Sequence, residues 1–286
     1  AEVTIEANPG TLTPEKLSIY RKYGINRISI GLQSPKNKEL AILGRIHNYA
    51  QFLESFQMAR EAGFSNINVD LMFAIPGQSY EGWIENLRTV AALGPEHISA
   101  YSLIIEEGTP FSRKKLDLPD EDTEYRMYED VAAVLKEYGY HQYEISNYAK
   151  AGRECRHNEG YWQRKDYLGL GLGAASLLGK ERFSNTSDMQ EYLKNSSAPE
   201  KIRKNRELLT REDEMAEFMF LGLRMNEGVT REAFERAFGI SIDAIYKDTI
   251  DSLKKQELLV VKAGHIYLSE RGKDVANYVM AQFLRD

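Results

Sequence analysis

The first hundred residues alternate short apolar strands with helices, and this alternation constrains the fold more than any other feature of the sequence. Strands are predicted at EVTIEANPG, RISIGLQS, INVDLMFAIPG and HISAYSL, and the segments between them have the apolar periodicity of helices. Near-continuous apolar strands separated by helices are typical of a parallel sheet that helices cover. The fold class is therefore predicted to be α/β.

The number of predicted strands bears on how complete this sheet is. Four strands cannot close a barrel, which needs about eight. The strand at residues 2–7 opens the chain without an initiator Met and without a preceding turn or cap. Because intact proteins usually cover an apolar sheet edge, we expect preceding strands to be missing and the chain to be a fragment.

The repeat stops at about residue 108, and three segments are predicted. Residues 1–108 form the α/β part, 109–185 form a helix at about 120–138 and a β-rich extension, and 186–286 form a small helical unit. A polar linker is predicted at 194–205. Helices at 211–225, 230–238 and 243–256 precede a predicted hairpin, an order that resembles a winged helix.

Composition and charge exclude several classes of protein. The net charge is −6 over 286 residues, which argues against a partner made of nucleic acid. No apolar run approaches the roughly 20 residues of a membrane span. The only cysteine, Cys155, cannot form an internal disulfide, so a reducing cytoplasm is expected. One thiol also cannot hold an iron–sulfur cluster or a structural zinc ion.

Polar residues end the predicted strands, and one basic residue follows the second of them. Glu6, Gln33, Asp70 and Ser102 are at strand ends, and Arg45 lies in a following loop. In parallel α/β folds, ligands bind at that edge of the sheet. Carboxylates, a guanidinium and an amide would suit a small zwitterionic ligand that carries a ribose. The alternative is that strand ends are polar because they meet solvent.

A second candidate site lies in the segment 144–176, where a histidine has aromatic neighbours. His157, Asn158, Tyr161 and Trp162 follow Cys155 closely. Imidazole ligates iron, and flanking rings stack on a macrocycle, so this pattern favours a flat ligand that carries a metal. The alternative is a hydrogen-bonded histidine beside a local aromatic core. Cys155 and His157 lack the further ligands of a zinc site.

The glycine series that follows partly matches a dinucleotide-binding fingerprint. Gly169, Gly171 and Gly173 precede Ala174. That fingerprint requires a preceding strand and a following helix in a βαβ unit. Here a polar, aromatic segment precedes the series and a predicted strand follows it, so close backbone packing or close approach to a ligand is the favoured interpretation.

Several motifs, in order, resemble one known family. E-A-N-P-G at 6–10, I-G-L-Q-S at 30–34, L-G-R-I-H at 43–47 and V-D-L-M-F-A-I-P-G-Q at 69–78 are similar to the oxygen-independent coproporphyrinogen oxidase-like radical SAM proteins. Y-S-L-I-I-E-E-G-T-P, E-I-S-N-Y-A and H-N-E-G-Y-W narrow the resemblance to the heme-chaperone branch of that family. The resemblance covers essentially the whole chain.

The resemblance implies a partial radical SAM (β/α) barrel, made of its last four βα strands, with a small C-terminal domain. It also implies S-adenosylmethionine (SAM) as a cofactor, beside a [4Fe-4S] cluster that a Cys-x3-Cys-x2-Cys loop holds. Glu6 would contact the methionine end of SAM, and Ile104 would supply a backbone contact. Gln33, Arg45 and Asp70 would line the pocket for SAM or for the neighbouring cofactor.

The three cluster cysteines are absent from the sequence, and Cys155 cannot replace them. The cluster is therefore expected only in the intact protein. In the chaperone branch, His157, Asn158, Tyr161 and Trp162 would handle heme. The expected function is to bind heme and to pass it to acceptor proteins, through which the chain would contact the membrane periphery.

The alternative is an oxygen-independent coproporphyrinogen III oxidase, so whether the protein is an enzyme stays open. The identity of the acceptor, the mode of heme attachment and the oligomeric state are also open.

Overall fold

A computed structural model describes residues 1–284, which form two compact units. The first unit is Ala1–Cys155 and the second is Arg156–Asp286. The three segments expected from the sequence (1–108, 109–185 and 186–286) remain a prediction about domain limits.

The first unit contains one six-stranded sheet. Its order is β1-β2-β3-β4-β6-β5, where β1 to β4 are parallel and β6 is antiparallel to both of its neighbours. The strands are β1 (Thr4–Ala7), β2 (Arg27–Gln33), β3 (Ile67–Phe73), β4 (His97–Ser102), β5 (His141–Glu144) and β6 (Asn147–Ala149). The four parallel strands predicted from apolar runs are confirmed.

Helices connect the parallel strands and cover one face of the sheet. Side chains of Thr13, Asn48, Ser79 and Asp120 cap four of these helices by accepting from a backbone N–H in the first turn. Such caps set where a helix begins, because they satisfy donors that have no partner within the helix. The helices are α1 (Pro14–Lys22), α2 (Asn37–Ile42), α3 (Tyr49–Glu61), α4 (Tyr80–Ala92) and α5 (Glu121–Lys136).

The two faces of this sheet differ in chemistry. Ile28 and Ile30 of β2 and Val69 and Leu71 of β3 are fully buried in the main hydrophobic core. Because successive side chains of a strand point to opposite faces, the residues between them face the other side. That other side is polar, and it carries Ser29, Asn68, Asp70, His97 and Ser99.

The second unit begins with α6 (Arg156–Trp162) and a three-stranded antiparallel sheet, β7-β8-β9. Its strands are β7 (Ala175–Leu178), β8 (Glu181–Asn185) and β9 (Arg203–Leu208), and α7 (Met189–Asn195) and α8 (Pro199–Ile202) lie between the last two. The predicted polar linker at 194–205 is therefore wrong. Most side chains of α8 and β9 are polar and face solvent, and this polar composition is why the sequence predicted a linker there.

The rest of the second unit confirms the predicted order of helices and hairpin. The elements are α9 (Arg211–Gly222), β10 (Val229–Thr230), α10 (Arg231–Phe238), α11 (Ile242–Lys255), β11 (Leu259–Lys262), β12 (His265–Leu268), α12 (Glu270–Asp274) and α13 (Ala276–Ala281). β10 adds a third strand beside the hairpin, in the order β10-β12-β11. Within residues 1–284, no helix is long and apolar enough to cross a membrane.

Candidate functional sites

Asp70 lies on the polar face of the first unit's sheet, held by two neighbours. Asn68 Nδ2 donates to Asp70 Oδ1 at 2.8 Å, and Ser29 Oγ donates to Oδ2 at 3.1 Å. Burial raises the pKa of Asp70, these hydrogen bonds oppose the rise, and the nearby charge of Glu6 adds to it. The structure thus holds Asp70 in one orientation, with the Glu6 carboxylate close enough to act on it.

Tyr101 joins this group, although the sequence analysis did not select it. Its hydroxyl donates to Gln33 Oε1 at 3.1 Å. Burial and the charge of Asp70 raise the pKa of Tyr101 to about 12, and Arg45 acts in the opposite direction. Tyr101 is therefore a neutral phenol within electrostatic range of Asp70 and Arg45 at neutral pH.

Ser102 does not belong to the group, contrary to the prediction from strand ends. Its hydroxyl donates to Glu124 on α5, on the helix-covered face of the sheet. Strand alternation explains the difference, because Ser102 is one position out of phase with Ser99 and Tyr101.

Gln33 and Arg45 reach the polar face through irregular backbone. Gln33 has a φ of 72°, and the register between β2 and β3 shifts between Ile30 and Gln33. A bulge of this kind re-aims a side chain. The loop that carries half-buried Arg45 is tied to β2 by His47, whose Nε2 lies 3.2 Å from Leu32 O. Burial lowers the pKa of His47, which keeps this contact neutral.

Ile104 lies in the loop after β4, with its side chain 78% exposed. Leu103 N donates to Phe73 O at 2.9 Å and fixes the start of that loop to the end of β3. The structure therefore gathers Glu6, Gln33, Arg45 and Asp70 around Tyr101. The backbone contact predicted for Ile104 stays a prediction.

A buried hydrogen-bond network centred on Glu39, which the sequence did not predict, joins the segments that follow β2 and β3. Glu39 Oε2 accepts from Ser34 Oγ at 2.6 Å, from Asn86 Nδ2 at 2.8 Å and from Gln78 Nε2 at 3.0 Å. These residues come from α2, α4 and the turns after β2 and β3, so one carboxylate joins four segments. Gln78 ends the I-P-G-Q motif, which gives the final residue of that motif a structural role.

A second network crosses the polar face from Asp70 towards Cys155. Asn68 Oδ1 lies 2.6 Å from His97 Nδ1, and His97 Nε2 lies 2.8 Å from the Tyr143 hydroxyl. Cys155 N donates to that hydroxyl at 3.2 Å. Because Asn68 donates through Nδ2 to Asp70, its Oδ1 accepts, so His97 carries its proton on Nδ1. Burial holds the pKa of His97 well below its usual value, so the imidazole stays neutral.

The second candidate site is on α6, in the second unit. The imidazole of His157 lies edge-to-face against Tyr161, with ring centroids 4.7 Å apart, and Tyr161 lies edge-to-face against Tyr167 at the same distance. His157 is exposed, and neither ring nitrogen has a hydrogen-bond partner among residues 1–284. An exposed imidazole with free nitrogens, fixed by neighbouring rings, can ligate a metal.

Trp162 is half-buried at the end of the same helix. The Arg224 guanidinium lies over its ring, with Cζ 4.2 Å from the centroid. Trp162 Nε1 is buried and has no hydrogen-bond partner in the described part of the chain. A buried indole N–H normally has a hydrogen-bond partner, so the unpaired Nε1 of Trp162 is a candidate donor to a bound ligand. Asn158 is half-buried on the first turn of the helix.

The H-N-x-x-Y-W motif lies on a helix, whereas the sequence analysis described the region only as a β-rich extension. The helix ends where Arg164 takes a φ of 51°. Arg164 Nε then donates to Glu217 Oε2 at 2.8 Å, and Glu217 also pairs with Arg182 of β8. This ion-pair triad fixes the end of α6 to α9 and β8.

The glycine series forms a loop that packs against its own sheet, as the favoured interpretation expected. Asn185 Nδ2 donates to Gly169 O at 3.1 Å and to Gly171 O at 2.9 Å. A Cβ at Gly169 would lie 2.2 Å from Ala175 O, so only glycine fits there. The loop thus has a packing role that needs no dinucleotide.

Metal ligands of the usual kind are not gathered elsewhere. Within the described residues, no group of three or more His, Cys, Asp or Glu side chains could hold a metal ion. Cys155 is buried, forms no disulfide within residues 1–284, and packs with Tyr143 and Ala149.

Two family models match parts of the chain, and its fold is similar to that of solved structures. Residues 1–90 match the Radical SAM superfamily, and residues 209–275 match the HemN C-terminal domain. The structure of coproporphyrinogen III oxidase (HemN) from Escherichia coli, a radical SAM enzyme, superposes with a TM-score of 0.84 at 22% identity, over 99% of this chain and 69% of that one. Fold and family models together define a radical SAM protein with a HemN-type C-terminal domain.

Relatives with high sequence identity show to which family of radical SAM proteins the chain belongs. A protein of Bacillus subtilis named heme chaperone HemW is 37% identical over 99% of this chain and 76% of its own length. The Escherichia coli protein of the same name is 35% identical over 100% of this chain and 75% of its own length. The chain belongs to the HemW family.

Proposed function

We propose that this protein binds heme and passes it to acceptor proteins in the cytoplasm. The observation that carries the proposal is the exposed imidazole of His157, which Tyr161 orients and which has no other partner among residues 1–284. The names of the relatives support heme as the ligand. A sequence with a single cysteine, which cannot form an internal disulfide, agrees with a reducing compartment.

In this proposal, His157 is an axial ligand to the heme iron. Tyr161 sets the orientation of the imidazole, and Trp162 flanks the heme ring. The buried Nε1 of Trp162 is a hydrogen-bond donor that has no partner among residues 1–284. Asn158, on the same turn as His157, contributes a polar contact. A short helix that is firmly held at one end and exposed at the other suits a ligand that must be released again.

We propose that the polar face of the first unit holds SAM. Glu6 and Asp70 are carboxylates for its ammonium group and ribose hydroxyls, and Arg45 is a cation for its carboxylate. Gln33 lines the pocket, and Ile104 supplies a backbone contact. The hydrogen-bonded, partly buried Asp70 and the neutral Tyr101 fit such a ligand. SAM with a reduced [4Fe-4S] cluster would supply a 5′-deoxyadenosyl radical, and the single cysteine of this sequence cannot hold such a cluster by itself.

The test of the heme proposal is a hemin titration followed in the Soret band. The wild-type chain should shift the band, and His157→Ala should abolish the shift. His265→Ala is the matched control, because His265 is in the same unit and its Nδ1 already contacts Glu227 O at 3.1 Å. An unchanged shift in His157→Ala would remove His157 as the ligand.

A second candidate function is oxidative decarboxylation of coproporphyrinogen III, which the fold shared with HemN favours. An oxidase should consume SAM and convert the porphyrinogen when the cluster is supplied. A chaperone should bind hemin without consuming SAM. Assaying both activities on protein to which the cluster has been supplied separates the two functions.

A further inference from the structure

A cleft of about 830 Å³ lies within the second unit, next to the end of the α6 helix. This volume falls within the roughly 300–1,000 Å³ of small-molecule sites. Gln163, the first residue after α6, lines the cleft and is six positions after His157 in the chain. Its walls come from the turn after α6, the β7–β8 turn, the end of β9, the start of α9 and the end of α10.

Part of the cleft is apolar and aromatic. Phe218 and Phe238 line it, and their rings meet edge-to-face with centroids 5.7 Å apart. Leu208 lines the same cleft and is 68% exposed. A large exposed aliphatic side chain beside aromatic rings is a surface that a flat apolar ligand would remove from water.

The remaining lining includes two cations, Lys180 and Arg211, that have no carboxylate partner in the described part of the chain. Among residues 1–284, Lys180 has no ion pair and the Arg211 guanidinium has one hydrogen-bond partner, the carbonyl of Phe238. The charges of Arg164 and Glu214 offset each other in an ion pair at 3.2 Å. The cleft therefore presents an apolar surface beside two cations, which is the complement of an amphipathic dicarboxylate.

We infer that this cleft is a second porphyrin site, which takes the ring through its apolar face and its two propionates rather than through its iron. The inference rests on the proposed heme function. A chaperone must release the axial ligand when it passes heme on, and a site that does not use the iron can hold the ring during that exchange. Lys180 and Arg211 are the carboxylate partners, and Leu208 and Phe238 contact the ring.

The test uses metal-free protoporphyrin IX, which cannot be ligated through iron, with binding followed by its fluorescence. The wild-type chain and His157→Ala should bind it equally well. Lys180→Glu should weaken binding about tenfold, as charge reversal beside a carboxylate does, and Leu208→Ser should weaken it as well. Both substituted side chains are exposed, so folding should be preserved.

Matched controls are Lys262→Glu and Leu193→Ser, which are also exposed but do not line the cleft. Protoporphyrin dimethyl ester, which lacks the carboxylates, should bind more weakly and should not distinguish Lys180→Glu from wild type. Equal binding of protoporphyrin by wild type and Lys180→Glu, or no binding by wild type, would overturn the inference. Failure of the hemin Soret test with intact protoporphyrin binding would instead overturn the assignment of His157 alone.

Discussion

The imidazole of His157 stands at 78° to the ring of Tyr161, with the two centroids 4.7 Å apart. These residues are four positions apart on α6, the spacing at which helical side chains meet. Tyr161 is held in turn by Tyr167, at an interplanar angle of 79°. The orientation of an exposed histidine is therefore set by two neighbouring rings.

This geometry predicts that the ring of Tyr161, and not its hydroxyl, supports heme binding. Tyr161→Ala should raise the Kd for hemin by about two- to tenfold, since an edge-to-face pair contributes about 0.5–1.5 kcal/mol. Tyr161→Phe should bind as wild type does. The measurement is a Soret titration of the three proteins. A larger loss in Tyr161→Phe than in Tyr161→Ala would contradict the account.

The ion pairs of Glu217 predict a strong effect on stability. Glu217 is 5% exposed, and it pairs with Arg164 and Arg182. Glu217→Gln should lower the free energy of unfolding by about 1–3 kcal/mol, because it removes the buried carboxylate that Arg164 and Arg182 share. The more exposed Glu214 and Glu207 remain as partners of the two guanidinium groups. Denaturant unfolding of the whole chain measures this change.

Glu232→Gln is the control for that measurement. Glu232 pairs with Arg236 on the exposed face of α10, where an ion pair contributes about 0.5 kcal/mol or less. Equal losses in the two variants would show that the Glu217 triad does not anchor α6.

Buried His97 predicts how stability depends on pH. Burial depresses the pKa of His97, so the unfolded chain takes up a proton that the native imidazole does not. Its contribution is therefore fully present above the unfolded value of about 6.5 and is lost as the pH falls below it. His97→Gln should be less stable than wild type at pH 8 and should show a weaker decline in Tm between pH 7 and pH 5, by calorimetry. A parallel decline would contradict the prediction.

The glycine loop predicts a contrast between two Gly→Ala changes. Gly169→Ala should lower the free energy of unfolding by about 1–3 kcal/mol, since its Cβ would collide with Ala175 O. Gly160→Ala should be neutral or stabilising, because Gly160 is in α6 and nothing lies within 4 Å of an added Cβ. Thermal unfolding of both variants measures the contrast, and equal stability would contradict it.

Sequence reasoning found the parallel strands, because buried strands are apolar along their whole length. It also predicted that Glu6, Gln33 and Asp70 lie together at the edge where parallel strands end, and all three lie near Tyr101, while their role in binding a ligand stays a prediction. It selected Ser102 in place of Tyr101 because the pleat phase of β4 depends on its register with β3.

Other features had no local signal in the sequence. The contacts of Glu39 and of His97 join residues far apart in the chain, which periodicity does not reveal. The helix α6 has only seven residues, and these include Asn and Gly, which have low helix propensity. It is therefore stabilised by tertiary contacts such as the Arg164–Glu217 ion pair, and not by the helix propensity of its residues. The cleft next to the end of α6 likewise had no local signal in the sequence, because its lining residues come from segments far apart in the chain.

The central claim is that the imidazole of His157 ligates the heme iron. Its most direct test is chemical rescue of His157→Gly by free imidazole, followed by resonance Raman and Soret spectra of bound hemin. The account predicts that His157→Gly loses the wild-type spectrum and that added imidazole restores it. A His157→Gly protein whose spectrum equals that of wild type before any imidazole is added would contradict the claim.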